Sequence, residues 1–271
     1  MLRYENINDI SDGKLYIQDD LVNCDTEGCK GCSKCCKSDM GKSIVLTPYD
    51  MYQLCKGTGK NFDKLLVDMF IELSMIDGII LPNMKMDEGC KFLENGRCSI
   101  HAYRPGICRL FPLGRIYEKD GFRYFLQTSE CVAENPKPIK VQDWINIEEL
   151  DKNTAFINKW HRFIKFEQKK VKEIQEMATN LSKRVLEMSD KDLEDYVTIV
   201  GDSDIYSPEN PKAYREEKSK TILENAQQEV KDVMKTVIAF FYLDEYDMDK
   251  DFYLQLDERM KKCLKRLRTG A

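Results

Sequence analysis

The sequence predicts an α+β chain, mainly α, with a cysteine-rich first half of short helices and hairpins followed by long amphipathic helices. Three observations predict it. Ten of the eleven cysteines lie before residue 132. In the same half, Asn95-Gly96 and Asp120-Gly121 sit between short apolar runs, the pattern of tight hairpins. From roughly Val141 onward apolar residues recur at steps of three and four, the period of a helix with one buried face. The expected division is residues 1–140 as one domain and residues 141–271 as a helical domain or extension. At 271 residues the chain is long enough to bury an ordinary core, so folding does not require disulfides.

The elements follow in order. SIVLTP reads as a short strand. Thr47 then supplies an N-cap and Pro48 the first helical position, opening a helix through PYDMYQLC that Gly57 and Gly59 stop. A second helix is predicted from about Phe62 to Ile76. In CKFLENGRC, Asn95-Gly96 places Cys90 and Cys98 on the two arms of one hairpin. LGRIYEKDGFRYFLQ alternates apolar and polar residues and forms a second hairpin leading toward Cys131. Beyond it, Trp160, Phe163, Ile164, Val171, Ile174, Met177, Leu181, Val185 and Leu186 mark the stripe of one long helix. A polar loop with Pro208 and Pro211 interrupts the pattern. A further helix from about Lys212 to Phe241 carries Val230, Val233 and Val237, and a last one puts Leu256, Met260, Cys263 and Leu267 on one stripe. No internal repeat or low-complexity tract is present.

Charge and hydropathy narrow the function classes. The net charge is −5 and the pI is near 5.4. No broad basic face for a nucleic-acid backbone is expected, and no nucleic-acid partner. The most apolar run, FDKLLVDMFIELSMIDGIIL, is broken by Asp63, Lys64, Asp68, Glu72 and Asp77, which a span of about 20 apolar residues does not tolerate, so no membrane partner is expected. The opening MLRYENINDI has no apolar core after a basic start and no small-residue cleavage site. A cytoplasmic location with reduced thiols is the expectation, and a dense cysteine pattern there points to metal ligation or catalysis.

Residues 24–36, CDTEGCKGCSKCC, put five cysteines in thirteen positions. Cys29, Cys32, Cys35 and Cys36 form a C-x2-C-x2-C-C run, with Cys24 upstream. Two-residue spacing lets successive thiolates bend around one ion, as in zinc and iron–sulfur sites. Gly28 and Gly31 supply the turns such a loop needs. The first three cysteines match the opening of the bacterial ferredoxin run, but that run continues x3-C-P and this one continues with Cys36. Adjacent thiols such as Cys35 and Cys36 are expected to point different ways, one to a first site and one to a second or bridging position. Distant candidate ligands are Cys90, Cys98, Cys108 and Cys131. With Cys24 the count outside predicted helices is nine, more than one four-ligand zinc site or one cubane cluster uses. Two metal sites, or one cluster plus unligated thiols, follow. A donor set of sulfur alone suits both zinc and an iron–sulfur cluster.

The order of Cys29-x2-Cys32-x2-Cys35-Cys36, then VLTPYDMYQL, then Cys90 with KFL, then Cys98 through YRPGI to Cys108 with RLFP, and finally Cys131, resembles the YkgJ-type cysteine cluster family, described as a zinc- or iron-chelating domain. The resemblance covers roughly residues 24–135. It implies metal chelation by Cys29, Cys32, Cys35, Cys36, Cys90, Cys98 and Cys108. The cluster is also similar to that of the flagellin lysine-N-methylase family, for which an iron–sulfur centre and S-adenosylmethionine-dependent methyl transfer are described.

Other residues have plainer readings beside sharper ones. Cys55 and Cys263, on apolar helical stripes, read as buried core thiols. His101 is either a nitrogen ligand or a hydrogen-bonded neighbour of Cys98, and His161 reads as structural. Arg104 and Arg109 flank Cys108; they either pair with carboxylates or bind the cofactor region by stabilising thiolate charge. Two functions compete. One is a metal-binding module in a structural or electron-transfer role, with a protein partner on the C-terminal helices. The alternative is an S-adenosylmethionine-dependent protein lysine methyltransferase. No glycine-rich adenosyl or phosphate loop is present, Gly57-Thr58-Gly59 being too short, which favours the module. A thiol redox sensor at Cys35-Cys36 is a third reading and requires unmetallated thiols.

Overall fold

The computed structural model describes residues 6–26, 33–37, 44–87, 89–128, 131 and 135–269. Cys29 and Cys32 lie outside the described residues. The architecture is mainly helical with small antiparallel sheets. A short helix α1 (Ile7–Ile10) and strand β1 (Leu21–Asp25) precede the cysteine run; α2 (Pro48–Thr58), α3 (Phe62–Val67) and the hairpin β2 (Ile71–Ile76) and β3 (Ile79–Met84) follow it. Next come the two-residue strands β4 (Leu93–Glu94) and β5 (Arg97–Cys98), α4 (Gly106–Leu110), the hairpin β6 (Leu113–Glu118) and β7 (Gly121–Leu126), β8 (Lys137–Lys140) and α5 (Val141–Ile145). The rest is helical: α6 (Leu150–Glu187), α7 (Asp190–Val200), α8 (Pro211–Ile238) and α9 (Phe252–Thr269). β1 pairs with β8, and the other strands pair within their hairpins. Among the described residues no helix is long and apolar enough to cross a membrane.

Local chemistry explains most boundaries. The Thr47 side chain accepts from the Asp50 N–H while the Asp50 carboxylate accepts from the Thr47 N–H, a complete capping box with Pro48 at the first position of α2. Gly59, at φ +66°, closes the same helix in the left-handed conformation. The expected helix over 62–76 is instead a six-residue helix and a strand. Asp68 caps α3, Met69 takes φ +61°, and Ile71, Leu73 and Met75 then alternate into a hairpin whose turn is Asp77-Gly78, both at positive φ. SIVLTP contributes backbone rather than a full strand: the Leu46 N–H donates to the Pro82 carbonyl at 2.9 Å and the Met84 N–H to the Ile44 carbonyl at 3.0 Å.

The main core draws Leu46, Leu54, Leu65 and Ile79 from before residue 140 and Trp160, Val171, Val237 and Phe241 from after it. Tyr242 fastens the two across 196 positions, its hydroxyl donating to the Leu46 carbonyl at 2.9 Å. A π-turn over Ala239–Leu243 ends α8, and Arg259 of α9 donates to the Phe240, Asp244 and Glu245 carbonyls there. A smaller core holds Tyr16, Val22, Cys24, Leu110 and Trp144. The α6 stripe holds as far as Val171, but Met177 is 72% exposed and Leu181 and Leu186 are also exposed. There the buried positions are Ala178, Ser182 and Val185, and Ser182 meets Ser219 of α8 at 2.6 Å. Small residues on that seam let two helices approach closely and leave the larger ones outside. The polar stretch before Pro208 contains α7, capped by Ser189 and Gly201, over a small cluster of Leu193, Val197 and Tyr214.

Candidate metal centre

Three short segments bring cysteines together, and a buried carboxylate braces one of them. The first is a 3-10 turn over Lys34–Lys37, which the Cys36 N–H closes by donating to the Ser33 carbonyl at 3.0 Å. Cys36 beside it is the largest cause holding Cys35 well above an ordinary thiol, with burial next.

The second segment is clasped to the first through backbone. The Cys90 N–H donates to the Cys36 carbonyl at 2.7 Å. Gly89 permits the approach: it sits at φ +105°, and a Cβ there would lie 3.1 Å from the Cys36 carbonyl oxygen. The chain then turns, the Leu93 N–H donating to the Cys90 carbonyl at 2.9 Å. Asn95 and Gly96, at φ +51° and +78°, form the tight turn of the hairpin, in which Leu93 faces Cys98. Cys98 is therefore on a strand, whereas Cys90 lies just ahead of one.

The third segment is α4, which carries Cys108. Its first N–H, from Gly106, donates to Asp50 Oδ1 at 2.6 Å, while Asp50 Oδ2 accepts from the Thr47 N–H and hydroxyl, each at 2.8 Å. At the other end the Trp144 indole donates to the Leu110 carbonyl at 3.2 Å. One carboxylate thus caps α2 and fixes the start of the cysteine-bearing α4, fifty-six positions away. Asp50 and Gly89 were missed as site-building residues. The T-x-x-D pattern at 47–50 was the signal for the cap, but nothing local announces the reach to Gly106.

The thiols feel one another. Cys108 is pushed well up, first by burial and then by the charges of Cys90, Asp50, Cys98 and Cys35. Cys90 is raised by burial and then by Cys98 and Cys35. Cys98 is raised by burial and by Cys35, with Arg104 opposing the shift. Four thiols in one poorly solvated neighbourhood resist ionisation, because each thiolate raises the cost of the next. A multivalent cation removes that cost and favours thiolate, so the donor set fits a thiophilic metal. Among the described residues no three His, Cys, Asp or Glu side chains stand close enough to hold an ion by themselves.

The remaining candidates fall elsewhere. Cys24 and Cys131 line a cavity of about 500 Å³ together with Pro112 and Gln127. None of Cys35, Cys36, Cys90, Cys98 and Cys108 borders it. Cys55 is half-buried beside Tyr52, Phe62 and Tyr242, and burial pushes its thiol up to about 11. Cys263 is fully buried, and burial followed by Glu167 pushes it up to about 12. Arg104 contacts His101 Nε2 at 2.6 Å and keeps a buried Nε without a hydrogen-bond partner. Arg109 donates to the Asn146 carbonyl at 3.0 Å and to the Ala102 carbonyl, joining α4 to its neighbours. Burial and then the charge of Arg104 lower His101. His161 stacks on Tyr117 with ring centroids 3.5 Å apart.

Comparison with known proteins agrees with this chemistry. No curated protein and no solved structure matches the chain. Residues 28–153 match a family described as "Putative zinc- or iron-chelating domain". That span contains the cysteine run, the Asp50 helix, the Cys90–Cys98 hairpin and the Cys108 helix, and over it the chain is similar to the CxxCxxCC family.

Proposed function

We infer that the chain is a metal-binding protein that holds an iron–sulfur cluster through thiolates of Cys29, Cys32, Cys35, Cys36, Cys90, Cys98 and Cys108, in a structural or electron-transfer role. The observation that carries this reading is the backbone clasp between Cys36 and Cys90, made possible by Gly89, with the raised thiols of Cys35, Cys90, Cys98 and Cys108 beside it. Seven sulfur donors exceed what one four-coordinate zinc site or one cubane cluster uses, so in this reading the cluster has further thiols around it. In this reading residues 1–140 supply the metal-binding part. Residues 141–271 brace it through the shared core and offer their outer helical faces to a protein partner. Arg104 sits where its charge favours the Cys98 thiolate.

Serine substitution divides the cysteines. Cys32→Ser and Cys108→Ser should lower bound metal substantially, because a neutral hydroxyl replaces a thiolate poorly. Cys55→Ser and Cys263→Ser should keep full metal content and lose only modest stability from burying a hydroxyl. Full occupancy in Cys108→Ser, or loss in Cys55→Ser, places the ligands elsewhere.

A further inference from the structure

We propose that the outer edge of β2 is a pairing surface for a second copy of this chain, the two strands meeting antiparallel about a two-fold axis at Ser74. The first observation is a row of backbone groups without a partner. β3 uses both of its sides. The Met84 N–H donates to the Ile44 carbonyl at 3.0 Å and the Pro82 carbonyl accepts from the Leu46 N–H at 2.9 Å, both away from β2. Met84 faces Ile71 and Pro82 faces Leu73, so in an antiparallel ladder the N–H and C=O groups of Ile71, Leu73 and, two residues on, Met75 point away from β3. Among the described residues β2 has β3 as its one strand neighbour, and nothing bonds to that outer row.

The second observation is that this edge lacks the features that keep strand edges apart. β2 has no proline, no lysine and no break in its register with β3. Leu73 and Met75, which share one face, are 47% and 59% exposed. The carboxylates beside them are neutralised within the chain, Glu72 lying 3.7 Å from Lys85 and Asp77 3.4 Å from Lys165. No unpaired charge is left along the strand to repel a partner.

The occupant follows from the order of residues in the strand itself. About a two-fold axis at Ser74, Leu73 faces Met75 of the copy and Met75 faces its Leu73. The outward N–H and C=O groups of both then bond across the edge, and the exposed apolar face continues from one copy to the other. Glu72 falls opposite Ile76 and Ser74 opposite itself, so no like charges meet. Each copy offers one such edge, because the segment from Ile44 to Leu46 covers the far side of β3. The assembly therefore closes at two, as one four-stranded antiparallel sheet.

The test uses the full chain isolated without oxygen with its metal in place. Its mass is followed by sedimentation equilibrium up to about 1 mM, the range of weak association, and hydrogen exchange at the Leu73 and Met75 amides is read at the dilute and concentrated ends. The expected result is a reversible monomer–dimer equilibrium in which both amides gain protection with concentration. Ser74 is half-buried. Ser74→Glu and Ser74→Lys each set like charges opposite one another at the axis and should weaken pairing several-fold, whereas an equimolar mixture of the two should pair at least as tightly as the parent, as one-to-one heterodimers. Amide protection in the parent decides the proposal even where a variant folds poorly. The proposal is overturned if the chain stays monomeric at about 1 mM, if a dimer forms while both amides exchange as in the monomer, or if the two variants associate no better mixed than alone.

Discussion

Replacing Asp50 with alanine tests how the fold positions Cys108. Asp50 is 4% exposed and accepts from three donors, the Gly106 N–H, the Thr47 N–H and the Thr47 hydroxyl. Without the carboxylate the Gly106 N–H loses its acceptor in a partly buried site, at a cost of about 1–3 kcal/mol. Loss of the reciprocal half of the capping box adds about 1 kcal/mol. The sum, roughly 2–4 kcal/mol, corresponds to a drop in thermal midpoint of roughly 4–16 °C for a chain of this size. Asp50→Asn keeps one acceptor for Gly106 and should lose about half as much. Thermal denaturation of the parent and both variants, with metal content measured before heating, is the assay. Because Gly106 opens the helix that carries Cys108, metal retention against a chelator should fall in the same order as stability. An alanine variant within about 2 °C of the parent, with unchanged metal retention, refutes the argument that Asp50 organises the site.

Three other outcomes follow from the same structure. Gly89→Ala forces a Cβ to 3.1 Å from the Cys36 carbonyl at φ +105°; it should cost about 1–3 kcal/mol and loosen the Cys36–Cys90 clasp, read as faster metal loss to a chelator. Glu167 is 1% exposed with Oε2 unpartnered, and burial raises its carboxyl above the ordinary 4.5. A raised acid contributes stability that is fully present below pH 4.5 and is lost as pH rises through the folded value. Glu167→Met should therefore be more stable than the parent at neutral pH by about 1–3 kcal/mol, with the gain shrinking toward acid pH in urea titrations. Removing the metal should expose the segment from Ser33 to Cys108 to proteolysis before the α6–α8 pair, because thiolate ligation of a structural ion contributes on the order of 10 kcal/mol to folding; equal protection with and without chelator contradicts this.

What could be read from the sequence was local. Thr47-Pro48, Asn95-Gly96 and the Leu256–Cys263 stripe act over a few residues, and each forms as expected. The helix expected over 62–76 failed because a helical period and a strand alternation overlap there, and Asp77-Gly78 was the stronger local signal. The outer end of α6 failed for a different reason. Periodicity marks Met177 and Leu181 as apolar, but only packing decides that Ala178 and Ser182 take the seam with α8. At the site, chain order places Cys35, Cys90, Cys98 and Cys108 as candidates. It cannot show that Asp50 reaches Gly106, because that depends on a contact between distant segments.

The central claim is that the converging thiols hold an iron–sulfur cluster. It is tested most directly by isolating the full chain without oxygen and measuring iron, acid-labile sulfide and zinc together with the visible absorption spectrum. The account predicts a coloured protein with iron and sulfide in matching amounts, both lost in Cys32→Ser and Cys108→Ser. A colourless protein with stoichiometric zinc and no sulfide would contradict it.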